Sequence, residues 1–420
     1  MNNLNNFLNL FKDKTKAYKS FLYINSKLGV LESFLNCLEK IKESLSVCAN
    51  PDQSFSYFER FLENTTAKTT LFEILKASKF YRDLLFNIFA QSNTLSLLLT
   101  NHNEYFYWLL EELSTNKTKL IFKEEIENLI KSKKKIDEKK YLLREYRKKE
   151  YLRIASKEIS RICKPRQIYT ELSELADAYL EVALDIAFDK LDLEDKNMCI
   201  ISMGKLGARE LNFSSDIDIM FVHDNSNNAQ SYCKVAQEVV SIISDVQFGS
   251  FVFRVDTRLR PFGNNSSLSM SIDEYENYYF SFGQIWEKFA LTRARFSAGD
   301  INVAEKFFSV IKPFVYTKNI DINYIEDIRS MRYKIKIEKL SNHKTDTIDP
   351  LKINVKLGLG GIREVEFITQ YFQLIYAGKD NDLQTNSTIE VLNILYNKGY
   401  LKPVSYTHLR AHETGRNLVC

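Results

Sequence analysis

Glycine and proline are scarce in this chain, with 13 Gly and 6 Pro among 420 residues. An all-β fold rich in tight turns needs more of both, because these residues supply the backbone angles that turns require. The hydrophobic fraction is 45% and the charged fraction 27%, which is typical of an ordered globular protein rather than a disordered one. We therefore expect long helices, and roughly two to four domains at this length.

Several other protein classes are excluded by what is missing. The six cysteines form no Cys-x-x-Cys pair, which fits a reducing cytoplasm. No segment approaches the ~18 apolar residues of a membrane span, and the first residues have no positive region of a signal peptide. Neither a P-loop nor a Gly-x-Ser-x-Gly elbow is present. The five histidines are scattered, so no zinc site is expected, and we interpret His223 as a surface residue.

The charge pattern does not indicate a nucleic-acid-binding protein, and no membrane partner is expected. Net charge is +4, and the densest basic run, residues 131–149, holds ten Lys or Arg against three acids. The apolar residues of this run return at helical steps. We therefore interpret it as a packed helix with a solvated face, rather than as a surface that binds nucleic acid or a phosphorylated partner.

Apolar periodicity divides the chain into helical and strand regions. Steps of three and four predict helices over residues 1 to about 130. Strands are predicted from 198 to about 262, with a helix near Ala229–Ser244 between them. From Tyr275 the pattern is helical again. One aromatic stripe is interpreted as core, against a base-stacking role for Trp286 or Tyr279; it consists of Tyr275, Tyr278, Tyr279, Phe282, Trp286, Phe289 and Ala290.

The chemistry is predicted on the strand that starts at Asp216, directly after Ser214 and Ser215. Strand side chains have a period of two, so Asp216 and Asp218 project from the same side. Two carboxylates this close repel each other unless a cation lies between them. Mg²⁺ prefers such oxygen ligands and keeps coordination positions for substrate phosphates. This pattern predicts metal-assisted chemistry on phosphates.

A third carboxylate is expected from a second strand, Phe251–Arg260, whose polar face carries Asp256. Arg258 and Arg260 share that face and would bind an anionic substrate. Upstream, a short buried strand ends at Gly204, where backbone amides can approach a phosphate beside Lys205.

Together these motifs resemble a known family. Gly204–Gly207 (GKLG) and Glu210–Asp218 (ELNFSSDID) resemble the core of the nucleotidyltransferase superfamily, and more narrowly the glutamine synthetase adenylyltransferase/adenylyl-removing enzymes. The resemblance covers roughly Leu142 to Pro403. Further matches are FVFRVDTRLRPFG from Phe251, WEKFALTRARFSAGD from Trp286 and KLGLGGIREVEFITQ from Lys356. FVFRVD and RPFG look like the N-terminal, adenylyl-removing module, and we expect the C-terminal module to be absent.

The resemblance implies an α+β, mostly helical fold. It consists of a nucleotidyltransferase-type mixed sheet with flanking helices, an N-terminal helical domain and a C-terminal helical bundle. The expected limits are 1–140 for the N-terminal domain, 141–305 for the catalytic domain and 306–403 for the bundle. Residues 404–420 resemble translated sequencing-adaptor read-through, and we expect them to be non-native and disordered.

The resemblance also implies the reaction, which is removal of AMP from a tyrosine of glutamine synthetase by phosphate, with release of ADP. Asp216, Asp218 and Asp256 would be the catalytic residues and would hold one or two Mg²⁺ ions. The implied nucleotide- or phosphate-binding residues are Gly204, Lys205, Ser214, Ser215, Arg258 and Arg260, with Gly360, Gly361 and Arg363 from a Gly-rich loop that precedes a helix. Uridylylated P-II signalling protein and glutamine are the implied regulators.

Two alternatives remain open at this point. The same carboxylates would serve the opposite half-reaction, in which glutamine synthetase is adenylylated from ATP. The chain could also be a non-catalytic regulatory half that binds the synthetase or the P-II protein. Intact Asp216, Asp218 and Asp256 favour an enzyme.

Overall fold

The computed structural model describes residues 2–320 except 28, 29, 225 and 248, then 324, 326, 328 and 330, and finally 361–414. The chain divides into two compact units, which are described separately. The first consists of Met1–Asn116 and Glu145–Ile168, and the second of Lys117–Arg144 and Tyr169–Cys420. The domain limits expected from the sequence stay a prediction.

The first unit is helical, as predicted. Side-chain caps begin several of its helices, because Asn50, Ser78 and Ser92 each accept a hydrogen bond from an amide three residues on. Its helices are α1 (Asn2–Leu8), α2 (Lys14–Lys27), α3 (Leu31–Val47), α4 (Pro51–Asn64), α5 (Lys68–Ala77), α6 (Lys79–Gln91), α7 (Asn93–Asn101) and α8 (Glu104–Glu112). Phenylalanines dominate the core, where the rings of Phe58 and Phe86 lie 5.0 Å apart. Full burial of each such ring contributes about 1.5–3 kcal/mol.

The second unit begins with α9 (Lys119–Ile130), and two long helices contribute to both units. These are α10 (Ile136–Ile159) and α11 (Pro165–Lys190). The basic run falls largely on α10, where Leu143 is buried and Lys140 Nζ lies 2.7 Å from Asp245 Oδ2. A packed helix over this run is therefore confirmed.

The described part of the second unit holds a five-stranded mixed sheet, which confirms the predicted fold class. Its strands are β1 (Met198–Met203), β2 (Ile217–His223), β3 (Val255–Asp256), β4 (Ser269–Ser271) and β5 (Arg295–Gly299). β1 is antiparallel to both β2 and β5. On the other side of β2, β3 pairs in parallel with its start and β4 with its end. The sheet therefore places the start of β2 beside β3.

Two strand predictions were wrong. The predicted strand Phe251–Arg260 is reduced to two residues, because the amides of Val252 and Phe253 donate to Ile243 O and the Arg258 amide donates to Asp256 Oδ1. β4 and β5 lie beyond residue 262, where no strand was expected. These two strands contain too few apolar residues to show the alternation of apolar and polar residues that predicts a strand.

The helix α13 between the strands has the predicted bounds, Ala229–Ser244, after the four-residue helix α12 (Gly204–Gly207). The aromatic stripe, however, is divided between α14 (Ile272–Ser281) and α15 (Ile285–Leu291). Tyr275 and Tyr279 are core residues, as predicted, whereas Phe282 is 61% and Trp286 44% exposed. The core interpretation was wrong for these two, because the break between the helices changes their direction.

Helices complete the unit: α16 (Ile301–Val315), α17 (Ile362–Tyr376), α18 (Thr388–Asn397) and α19 (Pro403–Thr414). The expectation of a disordered tail was wrong for the residues of α19. Tyr406 stacks on Tyr396 at 4.3 Å and donates to Asn393 Oδ1 at 2.7 Å, so this helix is attached to α18. Residues 415–420 lie outside the described residues. No helix within the described ranges is both long enough and apolar enough to span a membrane.

Candidate active site

The turn that follows β1 lies directly against a carboxylate of β2. Gly204 opens α12 with a φ of +54°, and a Cβ on it would lie 2.3 Å from Asp218 Oδ2. A side chain at this position would be strained and would also displace the carboxylate. Glycine is therefore required for the turn and the carboxylate to meet, and its backbone is placed beside Asp218.

The other end of the same turn is held by an arginine that sequence reasoning missed. Arg295, at the start of β5, donates to Leu206 O at 3.0 Å and to Gly207 O at 3.2 Å. Its guanidinium also binds both carboxylate oxygens of Asp177 on α11, at 2.8 and 3.0 Å. Such bidentate pairs fix geometry as well as contributing energy. Arg295 therefore anchors α12 to the sheet and to α11.

Gly207→Ala is expected to lower the free energy of unfolding by about 3 kcal/mol or more, the upper range for overpacking. A Cβ there would lie 1.9 Å from Arg293 O and 2.7 Å from Ser202 O, both of which are backbone atoms that cannot rotate away. Urea unfolding followed by circular dichroism measures the change. Gly249→Ala is the control, since no atom lies within 4 Å of its added Cβ and its φ of +72° adds only backbone strain of about 1–2 kcal/mol. Equal losses in both variants would contradict the steric argument.

Strand pairing brings the second carboxylate next to the first. In the parallel pairing of β2 with β3, Asp218 is the register partner of Asp256. Register partners of neighbouring strands project from the same face of a sheet. Asp216 directly precedes β2 and lies near enough to act on the charge of Asp218. The structure therefore brings together Asp218 and Asp256, with Asp216 beside them.

The environment separates the pKa values of these carboxyl groups. Burial raises the pKa of Asp218 to about 6, and the carboxylates of Asp256 and Asp216 act in the same direction. The cations Arg258 and Lys205 oppose this rise. At Asp256, hydrogen bonds from the Arg258 side chain hold the pKa below its usual value. Asp218 is therefore the carboxylate that most lacks a compensating positive charge.

Each of the other two carboxylates contacts an arginine. Arg254 pairs with Asp216 and also donates to Ser214 O at 2.6 Å. Arg258 donates through Nε to both oxygens of Asp256 at 3.0 Å, although its side chain is 72% exposed. Among the described residues, no three His, Cys, Asp or Glu side chains lie grouped so that they could hold a metal ion. The three-carboxylate cage predicted from the sequence is therefore a proposal.

The donor chemistry still fits a hard divalent cation. Adjacent carboxylate oxygens are the ligands that Mg²⁺ accepts. A cation between Asp218 and Asp256 would offset both the burial and the carboxylate repulsion that raise the Asp218 pKa. The close approach of Gly204 leaves no side chain between the turn and Asp218.

Arg260 does not have the role that the sequence predicted. Its side chain is buried, and its nitrogens donate to the carbonyls of Thr257, Ser266 and Ser267 at 2.6 to 3.2 Å. These bonds use the guanidinium to hold the loop between β3 and β4. Arg260 is therefore not available to bind phosphate, and Arg258 is the exposed arginine of the pair.

Of the remaining predicted residues, some lie in the turns around the carboxylates and others do not. Lys205 lies on α12, and the Ser215 hydroxyl donates to Asn212 Oδ1 at 2.6 Å, which shapes the turn before β2. Gly361 is the N-cap of α17 and Arg363 lies exposed in its first turn, with no contact to the carboxylates recorded in the described residues. Gly360 lies outside the described residues. Ser214 is exposed and directly precedes Ser215 in the turn before β2.

The surface interpretation of His223 was wrong. Its ring is fully buried, its Nδ1 lies 2.8 Å from Ser269 Oγ, and it stacks on Tyr232 at 4.8 Å. Burial lowers its pKa, so the neutral ring is favoured. The pairing of β4 with the end of β2 covers this histidine, and β4 was not predicted.

A polar network, also unforeseen, connects the site to the C-terminal helices. The carboxylate of Glu210, just after α12, accepts the Thr388 amide at 2.9 Å and the Thr388 hydroxyl at 3.1 Å. Arg293 donates to the same hydroxyl at 2.7 Å. Thr388 begins α18, so this helix is tied to the loop that carries the glycine turn. Arg293 and Arg295 both belong to the motif that starts at Trp286.

Comparison with known proteins identifies the family. The sequence model of glutamate-ammonia ligase adenylyltransferase (GlnE) matches residues 83–309, which is more than half of the chain and includes all three carboxylates. The chain belongs to this family. A second model, GlnD PII-uridylyltransferase, matches residues 329–416. The resemblance found in the sequence motifs is therefore confirmed.

Curated adenylyltransferase relatives support the same family. Each is named a bifunctional glutamine synthetase adenylyltransferase/adenylyl-removing enzyme. The Nitrosococcus oceani protein is 35% identical over 281 residues, which are 62% of this chain and 28% of that protein. The Pseudomonas aeruginosa protein is 35% identical over 289 residues, or 64% and 29%. The Shewanella woodyi protein is 32% identical over 346 residues, or 78% and 36%. This chain thus spans about a third of the length of these relatives.

Proposed function

We propose that this chain removes AMP from adenylylated glutamine synthetase by Mg²⁺-dependent phosphorolysis. The observation that carries the proposal is the register pairing of Asp218 with Asp256 beside the Gly204 turn, with the Asp218 pKa raised to about 6. The relatives support the substrate, since their names combine adenylyl transfer to glutamine synthetase with its removal. The family's P-II signalling protein and glutamine are the proposed regulators.

The bond changes follow from the substrate. An oxygen of inorganic phosphate attacks the α-phosphorus of the AMP–tyrosine ester, and the bond from phosphorus to the tyrosine oxygen breaks. ADP is released, and the tyrosine oxygen takes a proton from water. A Mg²⁺ ion held by Asp218, Asp256 and Asp216 would neutralise charge on the phosphate oxygens.

The chain's own residues position the two reactants. Arg258 is exposed beside Asp256 and would bind the incoming phosphate through its guanidinium. Lys205 and the backbone of the Gly204 turn would orient the nucleotide phosphate next to Asp218. Arg295 and Asp177 would hold that turn in place during the reaction. Phosphoryl transfer depends on positioning and charge stabilisation, so no protein nucleophile is needed.

Analysis of the released nucleotide tests this proposal. The purified chain is incubated with adenylylated glutamine synthetase, phosphate and Mg²⁺, and we expect ADP in amounts equal to the tyrosine restored. In a parallel reaction, unmodified synthetase and ATP are supplied, and pyrophosphate would indicate the opposite half-reaction, which the relatives' names also cover. Asp256→Asn is the control and should lose the activity. Absence of both products would contradict an enzyme and favour a regulatory role.

A further inference from the structure

A polar cavity of about 390 Å³ lies in the first unit, between facing sides of α2 and α4. Its lining residues recur at helical steps on each helix, so each helix presents one face to the cavity. These residues are Lys16, Lys19, Ser20 and Tyr23 on α2, and Ser56, Glu59 and Arg60 on α4. The Tyr23 hydroxyl donates to Glu63 Oε1 at 2.9 Å and joins the two helices at this point.

The cations of this cavity have no acidic partner. Within the described residues, no carboxylate lies within ion-pair distance of Lys16, Lys19 or Arg60, and Arg60 lies over the ring of Tyr57 at 5.6 Å. Lysines elsewhere in the unit do form ion pairs, as Lys79 does with Asp83 at 2.5 Å. The three cations face Glu59 in the lining and Glu63 beside Tyr23, so the net charge at the cavity is +1. The cavity therefore attracts anions.

Two serine hydroxyls in the cavity wall are also without protein partners. Ser20 is only 5% exposed, and neither its hydroxyl nor that of Ser56 makes a hydrogen bond within the described part of the chain. Other serines of the unit are bonded, as Ser26 is to Leu22 O at 2.7 Å and Ser54 to Phe86 O at 2.8 Å. Neither oxygen is among the buried unpaired atoms of the described residues, so solvent reaches both hydroxyls and a ligand can do the same.

We propose that this cavity binds a phosphoryl group, either as free phosphate or as the phosphate of a small phosphorylated molecule. Three cations and two hydroxyl donors match the several oxygens and the near-double negative charge of a phosphate better than the two oxygens of a carboxylate. The volume falls in the range of small-molecule sites, about 300–1,000 Å³, and leaves room for a group beyond the phosphate. The site belongs to the first unit and does not depend on the proposed catalytic reaction.

Calorimetric titration of the full chain in EDTA tests the proposal. Chelation removes any metal from the carboxylate site but leaves Arg258 and Lys205 there, so variants of the cavity lysines are titrated in parallel to assign the binding. The probes are inorganic phosphate and AMP, with acetate as the carboxylate comparison. We expect phosphate or AMP to bind and acetate not to bind. Tighter binding of phosphate identifies the free anion as the ligand, and tighter binding of AMP identifies a phosphate ester. No binding of either probe at about 1 mM, the weak end of specific affinities, would overturn the proposal.

Matched variants separate a site from general charge attraction. Lys16→Ala/Lys19→Ala should weaken binding at least about tenfold, since hydrogen bonds to charged groups contribute about 1.5–3 kcal/mol each. Lys42→Ala/Lys76→Ala removes two charges of the same unit outside the cavity and should leave the affinity unchanged. Ser20→Ala, a small change that keeps the helix, should weaken binding about threefold or more. Equal effects in the two lysine pairs would overturn the proposal.

Discussion

Asp218→Asn is expected to abolish turnover while making the metal-free protein more stable. Burial and two neighbouring carboxylates raise the Asp218 pKa from 3.8 to about 6, so the ionised group destabilises the folded state. About two pKa units correspond to ~3 kcal/mol. An amide has no charge to bury, so the variant should gain up to ~3 kcal/mol at pH 8 in EDTA. Loss of a metal-binding carboxylate should lower turnover about a thousandfold or more.

The raised Asp218 pKa also determines how the stability of the wild type changes with pH. Between pH 3.8 and about 6, the folded chain keeps the Asp218 proton more tightly than the unfolded chain does. The stability of the wild type therefore falls as the pH rises through this window, and the loss is complete above about 6. The stability difference between Asp218→Asn and wild type should be small at pH 4 and reach its full value at pH 8.

Urea unfolding in EDTA at both pH values measures this difference, and addition of Mg²⁺ should stabilise the wild type but not the variant. Asp189→Asn is the control, since its side chain is 74% exposed in the same unit and should show no such gain. A stability difference that does not depend on pH would contradict the argument from burial and charge repulsion. Full activity of Asp218→Asn would refute its assignment as a catalytic residue.

Gly204→Ala is expected to lower turnover about a hundredfold, which is the effect of displacing a reacting group by about 1 Å. The added Cβ would lie 2.3 Å from Asp218 Oδ2, so the carboxylate must rotate away from its place beside Asp256. The φ of +54° adds strain of about 1–2 kcal/mol for any residue with a Cβ. Steady-state kinetics of ADP release, together with urea unfolding, measures both effects.

Gly399→Ala separates the two contributions. Gly399 has a φ of +76° and no atom within 4 Å of an added Cβ, so this variant carries backbone strain without a steric contact. It should lose about 1–2 kcal/mol of stability and keep its turnover. If Gly204→Ala kept its turnover as well, the turn would not be what holds Asp218 in its working position.

The local features of this fold were accessible from the sequence. Helical periodicity predicted the first unit and the bounds of α13, because the side chains on one face of a helix are neighbours in sequence. The same locality predicted β1 and most of β2. It failed at Phe251–Arg260, where the Asp256 side chain caps the Arg258 amide and ends the strand. It also failed at His223, which is buried by a strand 46 residues further on.

The roles of the arginines depended on contacts that no spacing reveals. Arg258 and Arg260 are two residues apart and looked equivalent, yet Arg260 is used by its own loop and Arg258 remains exposed. Arg295 contacts a helix 118 residues earlier, and Glu210 bonds to a helix 178 residues later. A local pattern has no information on which distant segment satisfies a buried polar group.

By itself, the sequence determined the family and the mostly helical α+β class. It also predicted that Asp216 and Asp218 share a face, because a period of two residues is a local property of a strand. Only the tertiary structure decided that Asp256 is the partner of Asp218, that Gly204 touches its carboxylate, and that Arg260 is structural. These facts depend on strand register and on close packing between distant segments, which arise only when the chain folds.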